Sequence, residues 1–439
     1  MRSEPADGRP VAIIGGGFAG AMTAAHLSAR GIPALLIDTA ERFGRGLAYS
    51  TRQPVHILNV VTAKMSAWPA DPAHFATWSG DDGTTFAERR EFGRYVEEQL
   101  AAAPLVKRAG GMAVDAERDE GGWTVTLSDG AKVAASALVL ALGNQPPAPF
   151  PGSDGLPEQR FVNNPWSDAA EVAIARAAES QSDVLILGTG LTMIDVVLSL
   201  AAAGHEGRIT AVSRRGLVPR AHVSPPGAPS PVSLEEVPLG SLMALWRWLR
   251  IRSAEVGFRA AVDAIRPHSL AIWRSLPHAD RRRFLRHARP QWDVHRHRIA
   301  PQVAEQIKGM IAAGQLDIIA GRVASMQASA DELEISIARR DGRESVRRVA
   351  TAFNCTGPLG DIRRTADPLL RALLADGEIS FDSLSLGLEV DERSKAGPSL
   401  WALGPLTKGM YWEIVAVPDI RGQAEAVASD IHKELLSHG

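Results

Sequence analysis

Val11-Ala12-Ile13-Ile14-Gly15-Gly16-Gly17-Phe18-Ala19-Gly20 is the stretch that decides the fold. Four apolar residues predict a short buried strand, and the glycines follow at once. The alanine-rich run from Ala21 to Arg30 predicts a helix stopped at Gly31, and Ala34-Leu35-Leu36-Ile37 predicts a second buried strand closing on Asp38. Strand, glycine turn, helix and strand make a βαβ unit.

Gly15, Gly17 and Gly20 fit the spacing G-x-G-x-x-G. The first glycine makes the tight turn, the second lets backbone approach a pyrophosphate, and the third lets helix and strand pack closely. Phe18, Ala19 and Gly20 open the helix, so their N–H groups and the positive end of its dipole face the phosphates. Asp38 stands about 20 residues beyond the glycines, where a carboxylate accepts hydrogen bonds from a ribose diol.

A second unit of this kind begins at Asp183. Val184–Leu187 predicts a strand, Gly188-Thr189-Gly190 a turn, Leu191–Ala203 a helix and Ile209–Val212 the next strand. The third glycine is replaced by Met193, which implies a looser fit of helix on strand. The closing strand runs into Ser213-Arg214-Arg215, not into an acid. Arginine at that place suits a 2′-phosphate and favours NADPH over NADH. Gly188, Gly190, Leu191, Thr192, Ser213, Arg214 and Arg215 are therefore candidate nucleotide-binding residues. Asp195 has two readings: it orients the nicotinamide or a nearby water, or it is a buried structural acid.

The chain has 439 residues, 45% hydrophobic and 22% charged, with a formal net charge of −2. That length suits two large domains or one inserted in another. The charge gives no electrostatic case for nucleic acid or an anionic membrane. Cys355 is the single cysteine, which excludes an internal disulfide, a redox-active cysteine pair and the disulfide-reductase class. It reads as a small buried residue beside the first dinucleotide, not as a nucleophile. Met1–Pro10 carries no signal-peptide core. The long apolar stretch Val184–Ala203 reads as a strand, a turn and a buried helix, not a membrane span. The expected location is the cytoplasm.

Other elements follow from pattern. Residues 44–80 predict a long loop with short helices, Glu88–Ala103 a helix, Trp123–Leu127 an alternating strand, and Ala137–Leu142 a buried strand ending in Gly143. The Pro-rich Val218–Pro238 is the best linker candidate. Leu239 to about Gly314 is helical and basic. Residues 316–353 return to strand patterning, Leu400–Leu403 is a last strand, and Asp419–Leu436 a closing helix. His295 and His297, two residues apart, make a poor metal pair on a helix, and no metal site is expected. Arg281-Arg282-Arg283 with Arg286 reads either as a solvated helix face or as a surface for an acidic substrate or the NADPH phosphate.

Taken together, Gly44-Arg45-Gly46-Leu47-Ala48-Tyr49-Ser50, His56-Ile57-Leu58-Asn59-Val60, Met65-Ser66, Asp71-Pro72-Ala73-His74-Phe75, the second glycine turn, His295-Arg296-His297-Arg298 and Asn354-Cys355-Thr356-Gly357-Pro358 resemble the tandem dinucleotide-binding flavoproteins. More narrowly, they are similar to the bacterial FAD/NAD(P)-binding oxidoreductases. The resemblance implies an α/β chain with two Rossmann-like domains, the NAD(P) domain inserted in the FAD domain, plus a helical subdomain. The expected parts are 1–165 and 346–439 for FAD, and 166–345 for NAD(P), with the helical insertion at about 235–312. By the same resemblance FAD sits at the first glycine loop, with Gly46, Leu47, Asn59, Gly143, Gly357, Gly404 and Pro405 lining it. The closing helix then points its N-terminus at the flavin, with Trp412, Glu413 and Arg421 nearby.

A second resemblance is to the N-hydroxylating flavin monooxygenases, carried by Asn59, Lys64, Met65, Asp71 and Pro72. It makes Asn59, Lys64 and Met65 the candidate catalytic residues, with Trp68 in the same loop. The Phe-x-Gly-x-x-x-His signature of Baeyer–Villiger enzymes is not found. The leading expectation is an NADPH-oxidising flavin monooxygenase acting on a small substrate, an amine being the most concrete. A reductase without oxygen insertion and a flavin-bound regulatory or assembly protein stay open, as does a homo-oligomer.

Overall fold

The computed structural model describes residues 8–39, 41–223, 230–329 and 332–437. It divides into two compact units. The first comprises Met1–Pro54, Val60–Gln145 and Leu359–Gly439; the second comprises Val55–Asn59 and Pro146–Pro358.

In the first unit a six-stranded sheet runs in the spatial order Lys395–Gly397, Leu400–Ala402, Ala137–Leu140, Val11–Ile14, Ala34–Asp38, Val106–Gly110. All pairings are parallel except the outermost, Lys395–Gly397 on Leu400–Ala402. Val11–Ile14 and Ala137–Leu140 are buried at every position, which is why both read as unbroken apolar runs. Helix Phe18–Ala29 crosses between the first two strands and packs along the closing helix Val417–Ser437. An antiparallel sheet of Ala113–Asp119, Gly122–Leu127 and Lys132–Ala135 lays Trp123, Val125 and Leu127 into the same core as Leu138 and Leu140.

In the second unit seven strands run in the order Glu344–Val349, Leu333–Arg339, Leu316–Ala328, Ile209–Ser213, Val184–Leu187, Thr351–Asn354, Phe161–Val162. The inner strands are parallel. Leu316–Ala328 serves two partners: Leu316 to Ala320 pair with Ile209–Ser213, and from Gly321 onward the strand pairs antiparallel with Leu333–Arg339, with an irregularity between Val323 and Ser325. Helix Pro301–Ala312 leads into that strand and packs on it. Helices Leu242–Val256, Phe258–Ile265, Ser269–Ser275, His278–Arg283 and Arg289–Arg296 form the basic insertion. Val237, Leu249, Ala261, Ile265 and Ile272 give it a small core of its own, with Trp248 and Trp292 against it.

The Pro-rich stretch does not join two domains. Its described residues lie inside the second unit and are pinned there. The His222 N–H donates to the Ile299 carbonyl at 2.8 Å, and His268 Nε2 donates to the Val232 carbonyl at 2.8 Å. Proline there limits hydrogen bonding to isolated contacts of this kind. Residues 224–229 of the stretch lie outside the described residues. No helix among the described residues is long and apolar enough to cross a membrane.

His26, on the buried face of helix Phe18–Ala29, packs edge-on against Trp68 with ring centroids 5.0 Å apart. Burial, helped by the Arg30 charge, lowers its pKa from 6.5 to about 4. Above pH 6.5 neither the folded nor the unfolded chain carries this proton. Between pH 6.5 and about 4 the unfolded chain takes it up and the folded chain does not, so stability falls across that window and levels below it. The full loss is about 3 kcal/mol. Urea midpoints measured from pH 7 to 4 are expected to show a shallower decline in His26→Leu than in the wild type. Equal slopes would contradict the assignment.

Candidate nucleotide sites

Each unit carries the same turn. Gly15, after strand Val11–Ile14, has φ +108°, and a Cβ on it would lie 2.3 Å from the Ala141 carbonyl oxygen. Gly188, after strand Val184–Leu187, also has φ +108°, and its Cβ would lie 2.2 Å from the Cys355 carbonyl oxygen. In both, the strand ahead of the turn lies between its βαβ partner and a strand that returns from much later in the chain. That is the crevice at which open α/β sheets bind nucleotides.

The residues present fit two dinucleotides. The N-caps of the two following helices are Gly17 and Gly190, both extended, and neither has a side chain to cap the first N–H groups. Those groups need an acceptor from elsewhere, and a pyrophosphate supplies it. At Gly20 a Cβ would meet the Gly15 carbonyl oxygen at 2.0 Å, so the helix presses on the turn. In the second loop this place holds the fully buried Met193, so helix and turn are spaced to take a side chain.

In the first loop the Gly16 N–H donates to Asp38 Oδ2, so the acid also braces the turn. Phe43, Gly44 and Gly46 close over it: the Gly44 N–H donates to the Gly16 carbonyl at 2.6 Å, and a Cβ on Gly46 would lie 2.9 Å from Gly17 Cα. Leu47 is exposed. Gly404 (φ +64°) comes to the same helix start, its Cβ position 3.9 Å from Ala19 Cβ. The buried Gln423 fixes it, accepting from the Gly404 N–H at 2.8 Å and donating to Thr407 Oγ1 and Ser394 Oγ at 3.0 Å each. Pro405 opens the short turn that follows. Gly143 has φ +65° and lies three residues beyond strand Ala137–Leu140.

The candidate catalytic residues separate by unit. Met65 is buried and Lys64 exposed in the first unit. Their turn is held by Arg421, whose Nη1 donates to the Ser66 carbonyl at 2.9 Å, and by the Tyr95 hydroxyl, which accepts the Ala67 N–H at 3.1 Å. Burial lowers the pKa of Arg421 from its ordinary value. Asn59 falls in the second unit, where its carbonyl accepts from His222 Nε2 at 2.9 Å. His56, in the same short segment, bonds through Nε2 to the Asp195 carbonyl and Ser199 Oγ at 3.1 and 2.9 Å. This ties the Val55–Asn59 segment to the second nucleotide helix, a role the sequence reading did not foresee.

In the second unit Thr189 Oγ1 shares a hydrogen bond with Ser213 Oγ at 2.8 Å and donates to the Leu217 carbonyl. Arg214 is exposed, whereas Arg215 Nη1 donates to the His287 carbonyl at 3.0 Å. Asp195 is buried. Cys355 is buried beside the second turn, in the second unit. Gly357 belongs to the same unit. Burial and the nearby Asp195 charge push the Cys355 thiol well above its ordinary pKa, so it is not a thiolate at neutral pH. Among the described residues no group of three His, Cys, Asp or Glu is placed to hold a metal ion.

Comparison with known proteins agrees with this geometry. Residues 12–145 match the family model described as FAD-NAD(P)-binding. An uncharacterized protein of Mycobacterium tuberculosis is 22% identical over 80% of this chain and 73% of its own length. Among solved structures, the cadaverine monooxygenase DfoA of Erwinia amylovora, bound to FAD, aligns over 96% of this chain and 94% of its own (14% identity, TM-score 0.67). Ornithine hydroxylase PvdA of Pseudomonas aeruginosa aligns over 97% and 99% (16% identity, TM-score 0.66). The bacillithiol disulfide reductase of Staphylococcus aureus aligns over 97% and 98% (15% identity, TM-score 0.59).

A Cβ at Gly190 would meet nothing within 4 Å, and its φ is not positive. A pyrophosphate held at this helix start would meet the added methyl group, so Gly190→Ala is expected to melt like the wild type while binding NAD(P)+ about tenfold more weakly. Gly188→Ala, with backbone in the way, should destabilise the whole unit. Unchanged NADP+ binding by Gly190→Ala in calorimetry would count against the second site. With residues 12–145 matching that family model and the chain aligning end to end with flavoproteins, this protein has the FAD/NAD(P)-binding flavoprotein fold.

Proposed function

We propose that the protein is an NADPH-oxidising flavin monooxygenase that hydroxylates the nitrogen of a small amine. FAD belongs to the first glycine loop and NADPH to the second. The observation that carries this reading is the duplicated turn, with an uncapped helix start in each unit. Two nucleotide sites suit a hydride passed from one cofactor to the other. The single buried cysteine leaves no thiol pair to receive electrons, which argues against the disulfide reductases that share the fold. Two of the solved structures with this fold are named for an ornithine hydroxylase and a cadaverine monooxygenase, and both names point to amines.

The reaction balances as amine plus O2, NADPH and H+ giving hydroxylamine, NADP+ and water. Bound flavin supplies the hydride acceptor and the means of activating oxygen. The chain's own residues bind, orient and exclude water. Gly404 and Gln423 fix the backbone beside the first helix start, and Arg421 holds the Met65-Ser66 turn. Lys64 and Met65, in the unit of the first glycine loop, are the residues we assign to contact with flavin or substrate. On this reading NAD(P) binding is the task of the second unit, and Arg214, the exposed arginine after its second strand, meets the 2′-phosphate.

The test is steady-state NADPH and oxygen consumption over a panel of primary amines, with hydroxylamine and hydrogen peroxide assayed together. Hydroxylamine in proportion to NADPH supports the proposal. Peroxide equal to NADPH with every amine would assign a reductase or oxidase instead. Arg214→Gln should lower kcat/KM for NADPH about tenfold and leave that for NADH nearly unchanged. An equal loss for both nucleotides would overturn the role given to Arg214.

A further inference from the structure

The basic insertion holds a second concentration of charge that neither nucleotide loop uses. The segment Arg220–His222 pairs with the chain leaving helix Arg289–Arg296. The Arg220 N–H donates to the Val294 carbonyl at 3.0 Å, the Ile299 N–H to the Arg220 carbonyl at 3.0 Å, and the His222 N–H to the Ile299 carbonyl at 2.8 Å. Helix Phe258–Ile265 packs against the same place, the Phe258 and His295 rings 4.4 Å apart. Arg259 and Asp263, one helical turn apart, share a face of this helix. Asp263 Oδ2 accepts from Arg298 Nη1 at 2.8 Å. Arg220, His222, Arg259, His295 and Arg298 thus lie within one another's electrostatic reach, and Asp263, the carboxylate paired with Arg298, is 53% exposed.

The arginines are not fully satisfied. The Arg298 side chain is only 7% exposed, and its Nη2 is buried without a hydrogen-bond partner among the described residues. Arg259 Nη1 is buried and unpartnered in the same sense. A buried guanidinium N–H left unpaired costs free energy, and several cations facing one weakly buried acid repel one another. The strain is visible in the neighbours: burial, then Arg220, Arg298 and Arg259, hold His295 below its ordinary pKa. Burial, with Arg298 and Arg259, does the same to His222 despite its bond to Asn59. A neutral His295 still offers an N–H, whereas the one N–H of a neutral His222 is taken by the Asn59 carbonyl. One ligand type resolves all of this: an anion whose oxygens accept from several donors at once.

We propose that Arg259 and Arg298, with Arg220, His222 and His295 around them, form a binding site for a small anionic group, a carboxylate or a phosphate. The site is distinct from the arginine pair after the second nucleotide strand and from the exposed arginines of helix His278–Arg283. It lies one hydrogen bond from Asn59, through His222. Its oxygens come from the substrate or another small metabolite.

The probe is inorganic phosphate, then malonate, titrated calorimetrically into the full-length protein at constant ionic strength held with chloride. Saturable binding of either anion is expected. Arg259→Gln should weaken it about tenfold or more. Arg282→Gln, on an exposed helix face, should leave it unchanged. Arg298→Lys guards against misfolding, since it keeps the charge while losing the planar two-nitrogen fork, and an intermediate weakening is expected. Loss of phosphate binding at saturating NADP+ would assign the anion to the nucleotide. Persistence would assign it to a second ligand. No saturable heat above the chloride baseline, or equal weakening in Arg259→Gln and Arg282→Gln, would overturn the site.

Discussion

A glycine pressed against the end of a neighbouring strand sets the rest. At Gly15 and again at Gly188 the chain leaves a buried strand with positive φ and passes so close to a carbonyl oxygen that no Cβ fits. The contact does two things at once. It turns the chain sharply enough to start a helix at the strand's end, and it fixes that helix start beside the strand returning from far along the sequence. Uncapped N–H groups then stand at the mouth of each sheet. The nucleotide chemistry follows from this backbone arrangement before any catalytic side chain is considered.

The duplication also explains how the chain is divided. Each glycine turn needs a returning strand, and the two come from different stretches. Ala137–Leu140 returns beside the first turn and Thr351–Asn354 beside the second. The second unit is thereby enclosed between two stretches of the first in sequence. Val55–Asn59 is an excursion of the opposite sense: a few residues from the midst of the first unit's sequence, bonded through His56 to the second nucleotide helix.

What was legible in the sequence was whatever local pattern determines. Both βαβ units, the loop at 44–80 and the closing helix follow from apolar runs, glycine spacing and helical periodicity, and the structure has them. Strand Val106–Gly110 was not legible. Val-Lys-Arg-Ala-Gly has no apolar run, and it is a strand because it lies at the edge and pairs with Ala34–Asp38. Helix Pro368–Ala375 did carry a signal in Asp367-Pro368, whose aspartate caps the Leu370 N–H, and so could have been found. The Pro-rich segment looked like a linker because composition does not reveal single long-range bonds such as that of His222 to Ile299. Arg259 and Arg298 are far apart in sequence, and only the fold brings them to one place.

The central claim is that the two turns bind two different nucleotides and that electrons pass from one to the other. It is tested most directly by anaerobic titration of the FAD-reconstituted protein with NADPH, following the visible absorbance of the flavin. Bleaching with about one NADPH per flavin is the predicted result. A flavin that binds stoichiometrically but stays oxidised under excess NADPH and under excess NADH would contradict it.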